Sequence, residues 1–136
     1  MTTTFARGTV AFVGAGPGAA DLITLRGAER LRAADVVLFD ALVDPALRAL
    51  APDARWIDVG KRGFVGVAHA SAGGRENTAQ ETIDALLVKH AADGKRVVRL
   101  KGGDPSVFGR LEEELAALAA AGIGCEVVPG VTAALA

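Results

Sequence analysis

The chain has 136 residues, 51% hydrophobic and 23% charged, which fits a globular protein and excludes a disordered one. A net charge of −1 leaves no overall basic footprint for nucleic acid, and no apolar run approaches the roughly 18 residues of a membrane-spanning helix. Neither nucleic acid nor membrane is therefore an expected partner.

Short β-branched runs alternate with longer helical stretches along the chain. Residues 9–13 predict a first strand, and 25–34 a helix with Thr24 as its N-cap. A strand at 36–39 is followed by a short helix at 45–51, capped by Asp44 with Pro45 in its first turn. A third strand is predicted at 56–59, and residues 61–77 read as a long glycine-containing loop. Residues 80–92 predict a helix, with Thr78 and Glu81 as a capping box and Gly94 as its stop. Strand 96–100, helix 111–121 ended by Gly122, strand 126–128 and the start of a helix at 132–136 complete the pattern.

Strands with no polar alternation, separated by helices, imply an α/β fold: a five-stranded, mostly parallel sheet with helices on both faces. The apolar run at 132–136 has neither stop signal nor polar tail, so residues 1–136 are expected to be the first domain of a longer protein. With no leader-like segment at residues 1–8, the expected location is the cytoplasm. The single cysteine, Cys125, excludes an internal disulfide, and its strand setting predicts a buried structural thiol.

Two glycine-rich loops follow predicted strands: Gly14-Ala15-Gly16-Pro17-Gly18 and Gly102-Gly103-Asp104-Pro105. Strands that end in glycine bring backbone to the edge of a sheet with little side-chain bulk, which suits contact with a small ligand. Asp104 suits a ligand with hydroxyls or an ammonium group, or else caps the segment that begins at Pro105. Asp40 and Lys61 end the second and third strands beside these loops, where a carboxylate and an amine can act as base and acid, or remain as solvated strand-end charges. His69 and His90 do not make a metal site; His90, near a helix C-terminus, is expected on the surface. Gly14 to Ala19 also satisfies the loose dinucleotide pattern, with Asp40 on the ribose, although Thr24 sets the helix start far downstream.

Six segments, in order, resemble the tetrapyrrole methylase family. They are Val13-Gly14-Ala15-Gly16-Pro17-Gly18, Asp21-Leu22-Ile23-Thr24-Leu25 and Ala34-Asp35-Val36-Val37-Leu38-Phe39-Asp40, then Val59-Gly60-Lys61-Arg62, the run from Gly94 through Arg99-Leu100-Lys101-Gly102-Gly103-Asp104-Pro105, and Val127-Val128-Pro129-Gly130-Val131-Thr132-Ala133. The resemblance implies transfer of methyl groups from S-adenosylmethionine to ring carbons of uroporphyrinogen III, giving precorrin-2, with S-adenosylhomocysteine as product. It also implies a homodimer of two-domain chains with the cofactor in the interdomain cleft. The family's cofactor contacts map to Pro17, Gly102, Gly103, Asp104, Val107, Thr132 and Ala133, and its proton acceptor and donor to Asp40 and Lys61. Lys61, Arg62 and Arg75 become candidates for the carboxylates of the substrate.

The chain departs from the family pattern at Phe39, where Tyr is common, at Ala41, where Arg is usual, and through extra residues between 62 and 78. With the second domain absent from the sequence, residues 1–136 alone are expected to be inactive. Two alternatives from other classes are a dinucleotide-binding module and a truncated domain without catalysis.

Overall fold

Five short strands form one sheet in the order β3-β2-β4-β1-β5, and all four pairings are parallel. The strands are β1 (Val10–Gly14), β2 (Val36–Phe39), β3 (Arg55–Asp58), β4 (Val97–Lys101) and β5 (Cys125–Val128). Among the described residues the helices are α1 (Leu25–Ala33), α2 (Arg75–Ala92) and α3 (Leu111–Ala120), with a 3₁₀ helix at Pro45–Leu50. The computed structural model describes residues 5–16, 23–40, 43–60, 75–102 and 111–130, of which 75–79 by backbone alone. The predicted strand–helix architecture is thus borne out, with every pairing parallel.

The central strands β1, β2 and β4 are buried along their whole length, which is why their sequences read as continuous runs. Alternate side chains feed two cores. On one face Ala11, Val13, Val37, Val98 and Leu100 pack with Leu31 of α1 and Leu47 of the 3₁₀ helix. On the other, Val10, Phe12, Val36, Leu38 and Val97 pack with Ile83 and Leu87 of α2 and Leu111 and Leu118 of α3.

Local signals set the helix starts. Thr24 Oγ1 accepts from Gly27 N at 3.1 Å, and Asp44 Oδ1 accepts from Ala46 N at 2.9 Å, so both predicted caps are present. Gly94 follows α2 with φ of +82°, a conformation that a side chain would strain.

Four expectations are corrected. Helix α2 spans Arg75–Ala92 and so already includes residues 75–79; Thr78 lies within it and the Thr78–Glu81 capping box does not mark its start. Arg75 and Glu76 are adequate helix formers, and the helix extends through them. The segment at 45–51 is 3₁₀, not α. Cys125 is exposed, because β5 is an edge strand that pairs on one side only. His90 is buried at 6% exposure: the last turn of α2 packs under the amino end of the sheet, and His90 O accepts from Lys95 N. The predicted helix at 132–136 lies outside the described residues, as does residues 61–74 of the predicted loop.

Candidate functional site

The strand order points to a crevice between the carboxyl ends of β1 and β4. The chain leaves β1 toward α1 on one face, and leaves the neighbouring β4 toward α3 on the other. At such a divergence the carboxyl ends of two adjacent parallel strands are uncovered, and open α/β sheets bind ligands there. The two glycine-rich loops begin at these two ends.

Their beginnings are tied together. Gly14 pairs with Lys101 in the ladder, and one residue further on Ala15 N donates to Lys101 O at 2.7 Å. Gly16 follows with φ of +86°, so the backbone turns where an L side chain would be strained. Gly102 follows Lys101. No side chain from Gly14, Gly16 or Gly102 occupies the crevice, so a ligand can contact backbone N–H and C=O groups directly.

Asp40 sits one strand away. Phe39 pairs with Leu100, which sets Asp40 beside Lys101 at the same edge, and Asp40 is half-buried. On its other side Val59 N donates to Phe39 O at 2.8 Å, and Asp58 Oδ1 accepts from Gly60 N at 2.9 Å. The edge therefore runs from Gly60 through Asp40 and Lys101–Gly102 to Gly14–Gly16. Adjacent strands stand about 4.8 Å apart, so Asp40 lies roughly 10 Å from the β1 loop. Of the sequence-predicted site residues, the structure brings Asp40 and Gly102 to this edge. Pro17, Lys61, Gly103, Asp104, Val107, Thr132 and Ala133 lie outside the described residues, as do Arg62 and His69.

On the α1 face of the sheet, at the ends of β2 and β3, is an open pocket of about 470 Å³ lined by residues including Phe39, Arg48, Trp56 and Asp58. The Arg48 guanidinium lies 5.0 Å from the Phe39 ring centroid and 5.4 Å from that of Trp56. Trp56 is fixed by donating from Nε1 to Ala51 O at 2.8 Å.

A buried charge cluster beneath the edge escaped sequence reasoning. Glu114 of α3 is fully buried and accepts from Arg99 Nε and from Lys101 Nζ, each at 3.3 Å. Gln80 Nε2 donates to Glu114 Oε2 at 3.2 Å and to Asp84 Oδ1 at 2.8 Å. Burial, and then the adjacent Arg99 guanidinium, pull the Lys101 ammonium below the usual lysine range, while Glu114 and Asp40 oppose them. Burial raises the Asp84 carboxyl above the ordinary range against the Gln80 hydrogen bond. Arg99 Nη1 is buried without an acceptor among the described residues. Two signals were present in the sequence. Arg99 and Lys101 alternate within a strand otherwise apolar, and Glu114 stands on the Leu111–Leu118 stripe of its helix.

Among the described residues no group of His, Cys, Asp and Glu could hold a metal ion, and no helix is long and apolar enough to cross a membrane. The chemistry available at the edge is backbone recognition through glycine, with one carboxylate and one buried ammonium at neighbouring strand ends.

Residues 9–136 match the family model described as Tetrapyrrole (Corrin/Porphyrin) Methylases. A relative named siroheme synthase, from Edwardsiella ictaluri, is 53% identical over 129 residues, covering 94% of this chain and 26% of that protein. Among solved structures, a uroporphyrin-III-C-methyltransferase from Thermus thermophilus superposes with a TM-score of 0.73 at 44% identity, covering 93% of this chain and 49% of that one. A structure of the Thermus thermophilus uroporphyrin-III C-methyl transferase complexed with S-adenyl homocysteine gives 0.72 at 46% identity, covering 91% and 48%. The chain thus spans about a quarter of the length of the curated relatives it matches and about half that of the solved ones. By its sequence over 9–136 and by its fold, the chain belongs to the tetrapyrrole (corrin/porphyrin) methylase family.

Proposed function

We propose that residues 1–136 are the N-terminal α/β domain of an S-adenosylmethionine-dependent C-methyltransferase that converts uroporphyrinogen III to precorrin-2. The observation that most supports this is the pair of glycine-bearing strand ends, Gly14–Gly16 and Gly102, joined by the Ala15–Lys101 hydrogen bond at the divergence of the fold. Backbone free of side-chain bulk fits an extended cofactor that must lie close against the sheet edge. The likeness to a methyltransferase solved with the cofactor product bound adds to it.

When bound, S-adenosylmethionine supplies a methyl group already activated by its sulfonium. The protein's task is alignment, worth roughly 7–11 kcal/mol in a well-oriented transfer. Gly102 and Gly103 approach the cofactor with backbone, Asp104 takes its hydroxyls or ammonium, and Pro17, Val107, Thr132 and Ala133 complete the contacts. Asp40 accepts the proton that the methylated ring system must lose, and Lys61 returns one. In sequence Asp40 directly follows β2, and Lys61 comes three residues after the end of β3. The homodimer and the cytoplasmic location belong to the same proposal.

A dinucleotide-binding module is less well supported. That site needs the pyrophosphate at a helix N-terminus inside the glycine motif, whereas α1 is capped by Thr24 and starts at Leu25. The test is transfer of labelled methyl to uroporphyrinogen III by the natural polypeptide carrying this chain. Asp40→Asn is expected to lower kcat about 100-fold or more while affinity for S-adenosylhomocysteine stays the same. Unchanged turnover in that variant would remove Asp40 from the mechanism.

A further inference from the structure

The buried charge cluster touches the edge at one point. Lys101 is 5% exposed, and its ammonium is seated on Glu114, to which it donates at 3.3 Å. Side-chain alternation decides which way it faces. Val36 and Leu38 of β2 lie in the core under α2 and α3, so Asp40 follows on that face. Lys101 lies on the same face, since Glu114 of α3 receives it. The register that pairs Phe39 with Leu100 then makes Asp40 and Lys101 neighbours on adjacent strands. Asp40 is among the charges that act on Lys101, with Arg99 and Glu114.

The charges around this pair come from every packed element: Arg99 and Lys101 from β4, Glu114 from α3, Asp84 with Gln80 from α2, and Asp40 from β2. Glu114 is shared between two cations, so it does not neutralise both. Asp84 of α2 also acts on Arg99, and Asp40 of β2 acts on Lys101 from the neighbouring strand end.

We propose that Lys101, seated by Glu114, is a positioning residue for Asp40, its ammonium holding the Asp40 carboxylate at the sheet edge. The role assigned to Asp40 rests on the function proposed above; the pairing itself does not. An ammonium anchored from below is a fixed electrostatic post: it orients the carboxylate without contacting the substrate. Arginine, of the same charge and greater length, should substitute in part, and methionine should not.

The test has two arms. In this chain, thermal unfolding of Asp40→Asn, Lys101→Met and the double variant forms a cycle. The double variant should lose less than the sum of the single losses, by roughly 2–5 °C. Should Lys101→Met fail to fold, the same cycle is run in a Glu114→Gln background, where no buried carboxylate is stranded. In the natural polypeptide, Lys101→Met should lower kcat about tenfold or more, leave KM for S-adenosylmethionine within about twofold, and be rescued in part by Lys101→Arg. Additive losses in the cycle, or a fall in kcat matched by a rise in KM that Arg does not rescue, would overturn the proposal. Absence of methyl transfer in the unaltered protein would instead defeat the reading of Asp40 as proton acceptor, with the pairing still judged by the cycle.

Discussion

Glu114 is the hub of the buried polar cluster, accepting from Gln80, Arg99 and Lys101. It is fully buried and holds two cations that are themselves more than nine-tenths buried. The net worth of such a cluster over an apolar core is small, but removing one partner strands the others. Glu114→Ala should therefore cost about 3–5 kcal/mol in urea unfolding, and Glu114→Gln, which keeps the hydrogen-bond acceptor, distinctly less. His90 gives a second prediction, in pH. Burial, and then Arg55, hold its imidazole below the usual histidine value of 6.5. The unfolded chain therefore takes up the proton first. This contribution to stability is complete above the unfolded value and is lost as pH falls below about 6.5. The unfolding midpoint should drop between about pH 7 and 5.5, and the drop should shrink in His90→Gln. A midpoint that rose over that window would reverse the sign.

At the scale of elements, the strands were legible because buried parallel strands are short β-branched runs, and all five appear within a residue of their predicted ends. The Thr24 and Asp44 caps were legible for a similar reason: a cap is a local bond between neighbours in sequence. Thr24→Ala should cost about 1 kcal/mol of stability through the lost bond to Gly27 N, measurable by denaturant unfolding. What stayed hidden was non-local. Whether Cys125 is buried depends on which strand lies at the sheet edge, and strand order is not written in any single segment. The Glu114 cluster joins residues 13, 15 and 34 positions apart, so each charge alone reads as a solvated side chain. The candidate site was legible in part: glycine loops and a strand-end carboxylate announce themselves, whereas the ammonium beneath Asp40 emerges only when β2 and β4 are neighbours.

For the whole molecule, topology does the placing. Strand order β3-β2-β4-β1-β5 makes β1 and β4 adjacent and sends their following helices to opposite faces. Among the described residues, Gly14–Gly16, Gly102, Asp40 and the buried Lys101 ammonium follow or end neighbouring strands along this edge. This edge, within residues 1–136, is the proposed seat of the methyl-donor cofactor. The most direct measurement is isothermal titration of S-adenosylhomocysteine and, separately, of NADH into this chain and into its Asp104→Ala variant. Binding of S-adenosylhomocysteine in preference to NADH is expected, weakened about tenfold or more by loss of the Asp104 carboxylate. Preference for NADH, equal binding by chain and variant, or no binding of either ligand would contradict it.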